Sequence, residues 1–482
     1  MVSYELLIDG ARRSSSETVA VENPATGETV GSVAKGDAAD AREAIDAAGA
    51  AKDEWGDRSP ATYERSLRAA ADWIEATADD IATLLAKETG KCLATAEGEV
   101  AETAAQFRYY AGVADKVRGD TIPTSPNRLN YTRRVPYGVT AHVVPWNYPL
   151  LLGTRGIASA LATGNTVVAK PPTQAPLTTM WIGEFLLDEF PDGVVNFVPG
   201  PGSEVGAELS SNAGIDAITF TGSTGVGKGV LKSAAEHITP VDLELGGKAP
   251  SIVLPDADIE NAARGVVAGI FSNAGQNCVA TSRCLVHESV HDELVEKIVE
   301  KTERVTLGPG TDPETDMGPV ISEEAREDIL SYIESAKEQG ATLLTGGGVP
   351  EDEALVDGTF VEPTVFDDVD PSMTIACEEI FGPVLSIVPV ESSEEAISVA
   401  NDSPFALAAA IWTDGIDATR LADRLDHGLV AINTFPVSMP QSPWGGNKES
   451  GIGREGGLEG VEAFTTVDSV VVEYDEMEDP YR

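Results

Sequence analysis

Basic residues are scarce in this sequence: 33 lysines and arginines stand against 79 aspartates and glutamates, a formal net charge of −46 over 482 residues. A field of that sign repels nucleic acid and anionic membranes, so neither is expected as a partner. The acids are dispersed rather than gathered in a tail, as in Asp37, Asp40, Glu43 and Asp46. Such a surface repels itself at low salt and relaxes when counterions screen it over about 3 Å at 1 M. The composition therefore predicts a halophilic protein that needs high salt.

Cysteine is also sparse. The four present, Cys92, Cys278, Cys284 and Cys377, form no Cys-x-x-Cys pair. In a chain this long that argues against a disulfide scaffold and predicts a reducing, cytoplasmic setting. No run of about 20 uninterrupted apolar residues occurs, as a membrane-spanning helix would require. The first residues, Met1-Val2-Ser3-Tyr4-Glu5, lack the basic-then-apolar order of a signal peptide. Internal repeats and low-complexity tracts are absent.

What is present is enough apolar material, 42 % of residues, for two or three domains of about 100–200 residues each. Three helices are predicted first, over 38–56, 60–89 and 97–117, before an irregular and then extended stretch to Pro136. From residue 138 short apolar runs alternate with helical ones: 139–144 then 150–162, 166–169 then 176–190, 194–198 then 203–211, 217–221 then 225–236. This β-α rhythm predicts a parallel sheet covered by helices. A second series starts near Pro250, with strands at 251–254, 282–287 and 341–344 and helices at 258–273, 289–305 and 322–339. A short β-rich tail, Ser469–Glu473, is suited to joining a neighbour's sheet.

Four stretches carry candidate chemistry. Gly275-Gln276-Asn277-Cys278 places a thiol in a turn whose amides could face a developing oxyanion. Most free cysteines are small buried hydrophobes, the reading that fits Cys284 in its apolar strand, while Cys92 and Cys377 lack such a turn and are read as structural. Glu244-Leu245-Gly246-Gly247-Lys248 sets a carboxylate, a candidate general base, beside paired glycines that allow close approach. Pro145-Trp146-Asn147-Tyr148-Pro149 is a rigid turn whose Asn147 amide could join an oxyanion hole. Thr219 to Gly229 is a strand-to-helix turn able to offer amides to a phosphate. It almost matches a P-loop, but Gly229 stands where the Mg2+-binding hydroxyl should be, and it lacks the Gly-x-Gly-x-x-Gly fingerprint.

Together these stretches resemble the NAD(P)-dependent aldehyde dehydrogenase superfamily over nearly the whole chain. The matching signatures run in order: Pro145–Pro149, Lys170–Thr173, Phe220–Gly227, Glu244–Lys248, Gly275–Cys278, Glu378–Pro383 and Pro443–Gly451. The resemblance implies an α/β fold with a Rossmann-like cofactor domain (1–120 and 141–245) and an α/β catalytic domain (246–445). A small β oligomerisation segment (121–140 and 461–482) would make a homodimer or homotetramer. It implies Cys278 as nucleophile, Glu244 as base, and Asn147 with the Cys278 amide as oxyanion donors. It places Lys170 at the adenosine ribose, Gly222 and Ser223 at the pyrophosphate, and Glu379 at the nicotinamide ribose with Phe381 nearby. Trp146, Thr173, Val226, Gly227 and Leu245 complete the expected cofactor site, and no metal is required.

Two departures bear on specificity. Thr173 stands where many NAD-preferring members carry a glutamate that binds the ribose 2′-OH. A hydroxyl can donate to a 2′-phosphate that a carboxylate would repel, so NADP is expected as the preferred cofactor, with NAD the alternative. Arg155, eight residues past Asn147, is suited either to clamp a substrate carboxylate or to pair with one of the many surface acids. The run Cys278–Arg283 is similar to that of α-ketoglutarate semialdehyde dehydrogenases, which points to 2,5-dioxopentanoate. Succinate semialdehyde, glyceraldehyde or its 3-phosphate, and betaine aldehyde are the alternatives. A silent structural homologue would have lost the nucleophile or the base, and both are here.

Overall fold

The computed structural model describes residues 2–475. The first helix runs over Ala38–Gly56 as predicted, because Asp37 caps it: its carboxylate accepts the Ala39 and Asp40 amides while Asp40 accepts the Asp37 amide. The predicted 60–89 helix is two helices, Pro60–Ala76 and Ala78–Thr89. The chain leaves helical geometry at Thr77, whose hydroxyl donates to the Trp73 carbonyl. The third helix spans Leu93–Val113 and starts four residues earlier than expected, since Cys92 offers no capping side chain to mark it. Five strands between Val2 and Ala34, each of three to six residues, escaped the sequence reading.

The first series forms an eight-stranded sheet. Its parallel centre runs Val241–Glu244, Ala217–Thr221, Val139–Val143, Thr166–Lys170, Val195–Phe197. Antiparallel edge strands were not foreseen: Gly451–Ile452 on one side, Leu6–Ile8 and Ala11–Arg13 on the other. Helices cover both faces, which is why the central strands are almost wholly buried. The chain order reverses between Val139–Val143 and Ala217–Thr221. In open α/β sheets a crevice opens at the carboxyl ends of strands at such a reversal, and ligands bind there.

The second series forms a seven-stranded sheet from Thr342–Thr345 through Arg283–His287 and Pro250–Val253 to Leu429–Ile432, with its own apolar core. A third sheet joins Thr121–Ile122, Arg128–Pro136 and Thr465–Glu473. The tail strand is longer than predicted and pairs along its length with Arg128–Pro136 of its own chain. Residues 476–482 of the expected oligomerisation segment lie outside the described residues. Asn165 ties this sheet to the first: its Oδ1 accepts the Gly138 amide and its Nδ2 donates to the Phe464 carbonyl. Among the described residues no helix is long and apolar enough to cross a membrane.

Candidate active site

Cys278 sits between two cavities. After the helix Ile259–Phe271 the chain turns through Asn273, Ala274 and Gly275, all in the left-handed region at φ 53°, 55° and 73°. A β-carbon on Gly275 would meet the Gly382 carbonyl oxygen at 2.1 Å, so glycine is required there. Holding Ala274 at positive φ costs on the order of 1 kcal/mol, the kind of strain that marks functional turns.

The first cavity, of about 490 Å³, opens at the sheet reversal. Its wall includes Trp146, Asn147, Lys170, Thr173, Gly222, Ser223, Val226, Glu244, Leu245, Cys278, Glu379 and Phe381. Gly227 is the one proposed cofactor residue off this wall. It underlies Leu245, where a β-carbon would come within 2.4 Å of the leucine side chain. Ser223 precedes the helix Thr224–Ala234, whose first amides receive no side-chain cap and are free for an anion. Lys170 ends its strand, its Nζ donating to the Pro171 carbonyl at 2.9 Å. Burial pulls the Lys170 amine down to about 8. Thr173 is exposed at the rim, with room beside it.

The paired glycines let two groups reach the end of the Val241–Glu244 strand. A β-carbon on Gly246 would stand 2.2 Å from Glu379 Oε2, and one on Gly247 would stand 2.4 Å from the Cys278 carbonyl oxygen. The Gly247 amide donates to Glu379 Oε1 at 2.9 Å. Burial, opposed by that bond and by Lys248, sets the Glu379 carboxyl at about 7.

Both Glu244 oxygens are buried without a hydrogen-bond partner. Burial first, then the nearby charges of Asp242 and Glu455, hold Glu244 well above the usual carboxylate range. Burial likewise pushes the Cys278 thiol up to about 12, helped by Glu379 and Glu244. The resting thiol is therefore protonated and needs a base to become nucleophilic. Asn147 Nδ2 donates one hydrogen to the Gln276 carbonyl at 3.1 Å, which orients the amide and leaves its second hydrogen for an oxyanion.

The second cavity, of about 320 Å³, meets Cys278 from the other side. Arg155 is on its wall, from the helix Leu151–Ala162. The acid that Arg155 pairs with is buried rather than on the surface: Nε donates to Glu455 Oε2 at 2.6 Å, and Nη2 lies 2.5 Å from the same oxygen. Sequence reasoning missed Glu455, which lies four residues past the last matched signature. It also missed the aromatic wall of Tyr148, Phe435 and Trp444 and the acid Glu102. Glu102 falls in a helix of the cofactor side with nothing local to mark it.

The sequence profile of the aldehyde dehydrogenase family matches residues 11–470. An alpha-ketoglutarate semialdehyde dehydrogenase of Haloferax volcanii is 42 % identical over 466 residues, covering 95 % of this chain and 96 % of the relative. A betaine aldehyde dehydrogenase of Bacillus subtilis is 41 % identical over 476 residues, covering 97 % of each. The crystal structure of betaine aldehyde dehydrogenase from Staphylococcus aureus in complex with NAD+ superposes with a TM-score of 0.97 at 39 % identity, over 99 % of this chain and 96 % of that one.

Proposed function

This chain belongs to the aldehyde dehydrogenase family, and from that premise we propose that it oxidises a carboxylated aldehyde, 2,5-dioxopentanoate, to the acid through a thioester on Cys278. The observation that carries the chemistry is that Cys278 lines both cavities. One side holds the uncapped amides of the Thr224–Ala234 helix and the Glu379 carboxylate, the other an aromatic pocket.

The first cavity fits a dinucleotide. Uncapped amides at Ser223 suit a pyrophosphate, Lys170 suits a ribose, and Gly246 leaves the space in which Glu379 can meet a second ribose. When bound, the nicotinamide cofactor accepts the hydride. The protein's part is the rest. Glu244 takes the Cys278 proton, and Sγ attacks the aldehyde carbon. The resulting oxyanion is met by Asn147 Nδ2 and the Cys278 amide. Once the thioester has formed and Glu244 has passed its first proton to solvent, it takes a proton from water, the hydroxide adds, and the carbon–sulfur bond breaks to release the acid, the sulfur taking a proton back as the Cys278 thiol.

The Haloferax relative supports the carboxylated substrate, whereas Arg155 on the second cavity's wall already spends its guanidinium on Glu455. Thr173 at an open rim supports NADP over NAD. A second reading rests on Glu102, whose Oε1 is buried without a partner in the same aromatic cavity. That acid favours an aldehyde with a cationic end, as the betaine aldehyde relatives' names suggest. The eight-stranded sheet, the seven-stranded sheet and the sheet of Arg128–Pro136 support the division into 1–120 with 141–245, 246–445, and 121–140 with 461–482. The third supports assembly into a homodimer or homotetramer. The net charge of −46 supports a halophilic protein, four free cysteines support a cytoplasmic one, and the dioxo acid as substrate would set it in pentose breakdown.

The test is nicotinamide reduction in molar KCl, with NAD+ and NADP+, against 2,5-dioxopentanoate, succinate semialdehyde, glyceraldehyde, its 3-phosphate and betaine aldehyde. The highest kcat/KM is expected for the dioxo acid with NADP+. A preference for betaine aldehyde would replace the first substrate reading by the second.

A further inference from the structure

The loop that carries Asn147 is gripped by an ion pair from a different part of the chain. Lys91 follows the helix Ala78–Thr89, which stops at Gly90 in the left-handed region, φ 80°. Glu99 lies in the next helix, Leu93–Val113. Both side chains have 0 % exposure and form an ion pair with each other. Each also reaches the Pro145–Leu151 loop. Lys91 Nζ donates to the Asn147 carbonyl at 2.8 Å and stands 3.9 Å above the Tyr148 ring centroid. Glu99 Oε1 accepts the amides of Leu150 and Leu151 at 3.0 and 3.1 Å, capping the helix Leu151–Ala162 from outside.

Burying two charges is costly, and the pair's mutual attraction recovers that cost only where the remaining donors and acceptors are also engaged. Here those remaining groups are spent on four consecutive-to-near residues around one side chain: the carbonyl of 147, the ring of 148, and the amides of 150 and 151. The Asn147 carbonyl also accepts, at a longer 3.4 Å, from Asn273 Nδ2, and Thr179 Oγ1 donates to the Pro149 carbonyl at 3.0 Å. A donor that stabilises a developing oxyanion must already be in place when charge develops, and small misplacements are expensive.

We infer that the buried Lys91–Glu99 pair is the positioning device of the oxyanion hole, setting the backbone of Asn147 so that its free amide hydrogen faces the oxygen on the carbon that Cys278 attacks. Neither residue touches substrate; both act through Asn147. The inference rests on the reading of Asn147 as oxyanion donor.

The experiment compares Lys91→Met, the doubly neutral Lys91→Met/Glu99→Gln, and Lys91→Arg, each with native Asn147 and with Asn147→Ala. Single-turnover hydride transfer is read alongside cofactor affinity and the rate of Cys278 alkylation. If Lys91→Met alone does not fold, because Glu99 is left buried and unpaired, the doubly neutral variant carries the test. The expected result is a loss of about tenfold or more in hydride transfer with native Asn147, up to the roughly 100- to 1000-fold cost of losing an oxyanion donor outright. KM for the cofactor and alkylation of Cys278 should stay within about twofold, Lys91→Arg should recover part of the rate, and in the Asn147→Ala background the pair's removal should cost little further. Wild-type hydride transfer in the doubly neutral variant would overturn the inference. So would an equal loss in both backgrounds, which is the mark of a merely structural pair. An Asn147→Ala enzyme with unchanged hydride transfer would overturn the oxyanion reading itself, and the inference with it.

Discussion

Gly246 lies so close to Glu379 that a β-carbon on it would stand 2.2 Å from Oε2. The carboxylate is meanwhile fixed by the Gly247 amide at 2.9 Å, so it cannot swing aside without losing that bond. Gly246→Ala should therefore displace Glu379 and weaken cofactor binding about tenfold or more, with little change in Tm. Isothermal titration with NADP+ and NAD+ checks this; unchanged affinity would remove Glu379 from the cofactor site.

The Cys278 thiol, held up to about 12 by burial and by Glu379 and Glu244, is protonated at every ordinary pH. Its thiolate fraction grows about tenfold per pH unit below that value. Iodoacetamide alkylation of the cofactor-free protein should rise steadily from pH 7 to 10 without a plateau. Glu379→Gln should speed it several-fold at pH 8 by removing a nearby negative charge. A plateau below pH 9 would contradict the assignment. Cys278→Ala should abolish both alkylation at this site and aldehyde oxidation.

Thr173 sits exposed at the cavity rim. Thr173→Glu should place a carboxylate where a 2′-phosphate would lie and shift the NADP+/NAD+ ratio of kcat/KM toward NAD+ by about tenfold, a repulsion of roughly 1.4 kcal/mol. The ratio is read directly from initial rates with each cofactor. No shift would separate Thr173 from cofactor choice.

Arg155 and Glu455 are matched in a region that also buries Asp242 and Glu244. Arg155→Leu should strand Glu455 and lower stability by about 3–5 kcal/mol, the usual cost of breaking one side of a buried pair. It should also lower kcat for every aldehyde, because Glu244 loses a cation that draws its carboxyl down. Adding Glu455→Gln should recover most of the Tm. If Arg155 also meets the substrate, KM for carboxylated aldehydes should rise more than for neutral ones even in the double variant. An unaltered Tm in Arg155→Leu would contradict the pairing.

The elements most legible beforehand were those marked by their own residues. Asp37 and Asp40 announce a helix start, and the apolar run Ala217–Thr221 is a strand because both its faces are covered. The short edge strands near the N-terminus carry too few residues to show a period, and Gly451–Ile452 exists only because Leu243 and Glu244 offer it an edge.

The sequence by itself determined the family. A thiol in a glycine-bearing turn, a glutamate before paired glycines and an asparagine between prolines are local arrangements, and their order along the chain named the family. It could not determine which distant groups share a space, because that depends on how sheets pack. Only the folded chain brings Glu455 to Arg155 across 300 positions and places Glu102 on the wall of the cavity behind Cys278. Only there do Lys91 and Glu99 close on the loop of Asn147. Those contacts set the field in which the thiol and the base must work, and a field sums over neighbours in space, not in sequence.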